Sequence, residues 1–129
     1  MKTFYFEIDE DHNVILVAAL FDGYSVRLLL DTGASNTVID LTTVILNGYE
    51  HNDNVGKVQI ETAKGLIEAR VFKIKELSSL SIRKTNLEII AYDFIGNGIV
   101  SEFDGVLGLD FFKGRKICID FIKLEITID

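Results

Sequence analysis

Asp31 is set apart by its neighbours. It follows the apolar run Val26-Arg27-Leu28-Leu29-Leu30 and is followed at once by Thr32 and Gly33. A carboxylate at the end of a buried strand is costly to ionise unless donors or charges compensate, so this placement points to chemistry. A hydroxyl beside the acid can hydrogen-bond locally, and a glycine lets backbone amides approach the carboxylate. The plain alternative is an Asp-Thr-Gly turn after a strand. With each residue type at about 5–7% of average composition, a chance match in a chain of this size has a probability of roughly a few per cent.

A second segment follows downstream: Asp104-Gly105-Val106-Leu107-Gly108-Leu109-Asp110-Phe111-Phe112. The ordered pair, Leu30-Asp31-Thr32-Gly33-Ala34-Ser35 and then Val106-Leu107-Gly108-Leu109-Asp110-Phe111-Phe112, resembles the retropepsin-like aspartic proteases, the single-domain members of clan AA. Gly-Leu-Asp-Phe is closer to bacterial and other cellular members than to retroviral ones. In that family the Asp-Thr-Gly loop is followed, beyond a flap hairpin, by an apolar-apolar-Gly segment that threads beside it and leads into a short helix. The resemblance runs from Val14 to Phe121, although only the two segments are specific.

The resemblance implies a mainly β chain, a single retropepsin-like domain over residues 1–129. The expected fold is an acid-protease β-barrel with one short helix near the C-terminus, functional as a homodimer. It makes Asp31 the catalytic carboxylate, with Thr32, Gly33, Ala34 and Ser35 supporting the loop. Ala63, Lys64 and Gly65 match the flap by position, with fewer glycines than retroviral flaps, and Val106, Leu107 and Gly108 match the segment beside the active site. The expected substrate is an extended polypeptide, cleaved as an endopeptidase without cofactor or metal. A non-catalytic dimerisation or peptide-binding module on the same fold is the alternative; only catalysis requires Asp31.

Such chemistry uses two carboxylates that share one proton, because like charges a few ångströms apart cannot both ionise easily. The pair titrates as a unit. The chain contains one Asp-Thr-Gly, so the second carboxylate is expected from another copy, which an isologous two-fold interface supplies. By resemblance Thr32 bonds across that axis. The alternating termini, Phe4 to Ile8 and Leu124 to Ile128, are expected either in an intermolecular sheet or capping their own monomer.

Three departures from the family pattern carry consequences. Ala34 stands where pepsin-like enzymes have Ser or Thr, which removes a hydroxyl donor and implies a pH optimum closer to neutral. Ser35 stands where retroviral enzymes often have a second Asp that holds substrate backbone. Asp110 stands where they usually have Arg or another polar residue, and its plain role is a helix-initiating acid.

Short segments rich in Val, Ile and Phe, several of them alternating, call for strands. Phe4, Phe6 and Ile8 lie on one face of a first strand, and Val14 to Phe21 and Tyr24 to Leu30 flank an Asp22-Gly23 hairpin turn. Val38-Ile39 is extended, and Asp40 caps a helical turn through Leu46. Val55 to Lys75 reads as a long hairpin. Leu80-Ser81-Ile82 and Leu87 to Tyr92 read as two strands separated by Arg83-Lys84-Thr85-Asn86. Gly105 to Phe112 breaks the alternation, with a helical turn from Leu109 stopped by Gly114. Lys116 to Phe121 and Leu124 to Ile128 close the chain as strands.

Composition narrows the function classes. A net charge of -7 over 129 residues is the wrong sign for nucleic acid or an anionic membrane surface. The longest apolar run, Val14 to Phe21, is far shorter than the roughly 20 residues a spanning helix needs. The N-terminus turns acidic at Glu7, Asp9, Glu10 and Asp11, unlike a secretory signal, so a cytoplasmic location is expected. Cys118 is the only cysteine and reads as a small strand residue rather than a nucleophile. His12 and His51 lack ligand-spaced partners, and the spacing of Glu102 and Asp104 from Asp31 sets no glycosidase geometry.

Overall fold

The computed structural model describes residues 1–11, 13–62, 65–98 and 102–129. Its strands are β1 (Lys2–Tyr5), β2 (Glu7–Asp9), β3 (Val14–Phe21), β4 (Tyr24–Leu30), β5 (Val38–Asp40), β6 (Gly56–Thr62), β7 (Gly65–Ser79), β8 (Ile82–Tyr92), β9 (Gly105–Leu107), β10 (Ile117–Asp120) and β11 (Glu125–Ile128). Two short helices, α1 (Leu41–Leu46) and α2 (Leu109–Phe112), and a 3-10 turn at His51–Asp53 complete it.

The larger sheet runs β2-β3-β4-β9-β5-β8-β7-β6, and a further β3–β7 pairing, from Ala19↔Ser79 to Phe21↔Leu77, curls it back on itself. A smaller sheet runs β1-β11-β10. Period-two alternation turns Val26, Leu28 and Leu30 of β4 inward, where they meet Phe21, Ile39, Phe72, Ile89, Leu107 and Phe111, all fully enclosed. Each such side chain contributes about 1.5–3 kcal/mol by leaving water. The Asp22-Gly23 turn has φ of 48° and 87°, the left-handed pair that matches strand twist in a two-residue hairpin. Among the described residues no helix is long and apolar enough to cross a membrane.

Several expectations are corrected. The N-terminal stretch is two strands, because the chain crosses between sheets at Phe6: β1 pairs with β11 and β2 with β3. Phe6 nevertheless fills the core, with Phe4 and Ile8 packed against it. Leu80-Ser81 is not strand but the turn between β7 and β8, both residues at positive φ. Arg83 to Asn86 is strand, in the single unslipped register that β7 and β8 keep from Arg70↔Ala91 to Ser79↔Ile82, although Asn86 takes φ 53°. The helical turn expected after Asp40 forms as α1, a second short helix besides the C-terminal one, but the Asp40 side chain makes no capping hydrogen bond to it. Gly105–Leu107 is strand despite lacking alternation, because both its faces are covered. Within one chain, β1 lies along β11 in the register Lys2↔Ile128 to Tyr5↔Glu125.

Candidate active site

Asp31 sits where β4 ends. Its amide donates to the Leu107 carbonyl at 3.1 Å, so it is held by β9 just as the strand lets go. The half-buried carboxylate accepts the Gly33 amide at 2.8 Å, and the Ala34 amide donates to the Asp31 carbonyl at 3.2 Å. Gly33 has a steric reason to be glycine: a Cβ there would lie 3.1 Å from Asp31 Oδ1. The loop therefore wraps its own acid with backbone donors, leaving Thr32, Gly33 and Ser35 exposed and Ala34 half-buried.

The second segment threads between the two arms of this loop. Val106 and Leu107 run parallel to Leu29 and Leu30 on β4, and Val106 runs antiparallel to Val38 on β5. Gly108 then passes so close to the loop that a Cβ would stand 2.6 Å from the Asn36 carbonyl. Only a glycine lets the backbones approach this far. The Leu109 amide donates to the Ala34 carbonyl at 2.8 Å. Asp31, Thr32, Gly33, Ala34 and Ser35 thus share one locus with Val106, Leu107 and Gly108.

Two residues brace these strands in ways the sequence did not show. Thr37, with no exposed surface, donates its amide at 3.0 Å and its hydroxyl at 2.7 Å to the two carboxylate oxygens of Asp110. Its hydroxyl oxygen accepts the Gly108 amide at 3.2 Å. Asp110 does stand in the first turn of α2, but its larger role is to clamp the Asp31 loop. Asp104 is the other: its carboxylate accepts the Arg27 amide at 3.0 Å, its amide donates to the Arg27 carbonyl at 2.8 Å, and its carbonyl accepts the Asp40 amide at 2.8 Å. The signal for Thr37 was weak, a hydroxyl between the polar Ser35-Asn36 and the apolar Val38-Ile39, and a hydroxyl that is buried must find partners.

The flap hairpin belongs to the same sheet as the Asp31 loop. The β6–β7 hairpin lies at the far edge of the sheet, with β9, β5 and β8 between β7 and β4, and its register runs from Gly56↔Val71 to Thr62↔Gly65. Gly65 takes φ 105° at the turn; Ala63 and Lys64 lie outside the described residues. Beside the loop, Ser35, Leu109, Phe112, Arg115 and Ile117 line an open cavity of about 600 Å³. Among the described residues no group of three or more His, Cys, Asp or Glu side chains could hold a metal ion.

Away from the loop, Tyr49 donates its hydroxyl to Asp22 at 2.7 Å and accepts the Lys75 amide at 3.0 Å. Burial, and then the bond to Asp22, push its pKa up to about 12. Tyr49 also packs edge-on against Phe21 and Phe72, tying the β3–β4 turn to β7.

An Asp-Thr-Gly loop at a strand end, threaded by an apolar-apolar-Gly segment that enters a short helix, defines the retropepsin-like class. The sequence profile of the aspartyl protease family matches residues 17–111, and the chain belongs to that family. Among solved structures, a retropepsin-like aspartic protease from Rickettsia conorii matches with a TM-score of 0.72, covering 98% of this chain and 89% of that one at 15% identity, which is a likeness of fold. A comparison with curated protein sequences finds no match.

Proposed function

We propose that the chain is an aspartic endopeptidase that works as a homodimer, with one Asp31 carboxylate from each copy. The observation that carries this reading is the Asp31 carboxylate itself, half-buried at the end of β4 and held by the Gly33 amide, in a chain with a single Asp-Thr-Gly. One carboxylate is ionised and acts as base, taking a proton from a water that attacks the scissile carbonyl; the protonated partner donates a hydrogen bond to that carbonyl oxygen. The substrate is a polypeptide held extended, with the β6–β7 hairpin as the cover that excludes water.

The test compares wild type with Asp31→Asn on a peptide library while particle mass is measured in solution. Cleavage by wild type alone is expected, together with a dimer mass and activity that falls on dilution. Equal residual cleavage by both proteins eliminates Asp31 as the catalytic group, and a strictly monomeric, active wild type eliminates the shared dyad. A non-catalytic peptide-binding module would retain library peptides without cutting them.

A further inference from the structure

Period-two alternation puts Asp31, Leu29 and Arg27 on one face of the β4 strand line and Leu28 and Leu30 on the other, in the core. The face that carries Asp31 has an apolar row across five strands: Leu29 pairs with Val106, Val106 with Val38, Val38 with Ile90 and Ile90 with Val71. All five side chains are half-buried. Two residues further along β5 and β8 this face changes character, because its next pair is Asp40↔Tyr92. Both keep part of their surface exposed, whereas Ile39 and Ala91, on the core face, are fully enclosed.

The Asp40 carboxylate accepts the Phe94 amide at 3.1 Å through Oδ1, and the Tyr92 ring lies against Phe94 with centroids 4.9 Å apart. Burial, and then the charge of Asp40, push the Tyr92 phenol above its ordinary pKa. Among the described residues Asp40 forms no ion pair. Arg27 stands level with Asp40, each bonded through its backbone to Asp104, but its guanidinium reaches across β3 to Glu7 at 3.4 Å, away from β5. The neighbouring chain holds no substitute: residues 28–56 and 85–112 carry four and five acids respectively and no lysine or arginine. A half-buried carboxylate beside an aromatic face, with no cation from its own chain, suits a cation that arrives with a ligand.

We propose that Asp40 and the Tyr92 ring form a subsite for a lysine or arginine side chain of the polypeptide substrate. This rests on the endopeptidase reading above and names a substrate class for it. The cationic head meets the Asp40 carboxylate and the aliphatic stem lies on the ring. Asp40 is two strands across from Asp31 and level with Arg27, which places it about 16 Å away at ordinary strand spacing and rise. An extended chain covers that in about five residues, and the reach of a long side chain brings the contact to about the third or fourth residue from the scissile bond. In a homodimer each copy brings one such subsite, so the preference falls on both sides of the cut.

The test gives the full chain peptides that differ only at those positions, with lysine, arginine or norleucine in each. Wild type is expected to favour lysine over norleucine about tenfold in kcat/KM, and the ratio is expected to shrink as salt is raised. Asp40→Asn keeps an oxygen for the Phe94 amide and is expected to bring the ratio close to one. Tyr92→Phe keeps the ring and should retain the ratio, whereas Tyr92→Leu should lower it about threefold. An Asp40 with a structural role alone would lower kcat/KM for both peptides alike and leave the ratio in place. Where Asp40→Asn fails to fold, Tyr92→Leu and the salt series decide. Asp31-dependent cleavage with no preference for a cation, or with a preference that Asp40→Asn keeps, overturns the subsite and leaves the endopeptidase reading intact. A chain that cleaves none of the peptides overturns both.

Discussion

Thr37 and Asp110, far apart in sequence, are joined by two hydrogen bonds of 2.7 and 3.0 Å that make the Asp31 loop and the start of α2 one rigid body. A charged acceptor roughly doubles the strength of a neutral hydrogen bond. A hydroxyl that also accepts the Gly108 amide orients three peptide segments at once. The exposed Asp31 loop is therefore precise because its support is buried.

Removing that acceptor should be felt throughout the domain. Asp110→Ala leaves a fully enclosed hydroxyl and amide without their partner and is expected to cost about 2–4 kcal/mol, measured by urea unfolding. Asp110→Asn, which keeps one carbonyl acceptor, should lose less than half as much. Equal losses in the two variants would show that volume, not hydrogen bonding, sets the effect.

Gly108→Ala tests the close approach. The new Cβ meets backbone at 2.6 Å on Asn36 and 2.8 Å on Ala34, neither of which can swing aside as a flexible side chain would. We expect a loss of about 1–3 kcal/mol and, with the loop displaced, a fall in peptidase activity. Gly56→Ala, with nothing within 4 Å of its Cβ, is the control and should leave activity unchanged. A Gly108→Ala protein as stable as the control would overturn the steric account.

Tyr49 predicts an alkaline limb. Its pKa rises from 10.0 to about 12 in the folded chain, so the fold favours the protonated phenol. That contribution is complete below the unfolded value and is lost as pH climbs toward the folded one. Tyr49→Phe should be less stable than wild type by about 1–2 kcal/mol at neutral pH. The gap should close between pH 10 and about 12. Denaturant midpoints measured across that interval decide it, and a constant gap would exclude the phenol as the titrating group.

Much of this architecture was legible because it is written in local chemistry. Asp22-Gly23 specifies its turn, Val14 to Leu30 its hairpin, and the order of the two glycine-containing segments their adjacency. What was not legible depends on distant partners. Leu80 is a poor turn residue by type, and it turns at positive φ with Ser81 because β7 and β8 pair on either side. Arg83 to Asn86 is too polar to announce a strand, yet the long partner β7 carries it through in one register. Asp110 and Thr37 each have an ordinary local explanation, and only the fold brings their side chains together. The end strands carried the right alternation, but alternation cannot say whose edge a strand completes.

Ala34 links the loop to pH. A hydroxyl at this position adjoins a carboxylate that accepts the Gly33 amide, and an added donor to the ionised form lowers a carboxylate's pKa. On the proposed mechanism the base must be ionised, so the acidic limb of the pH–rate profile follows that pKa. Ala34→Ser is expected to move the acidic limb of kcat/KM downward while leaving the basic limb nearer its original place. Ala34→Val, which adds bulk without a donor, separates hydrogen bonding from packing. A limb that stays put in Ala34→Ser, or moves equally in Ala34→Val, would remove the missing hydroxyl as the reason for an optimum nearer neutrality.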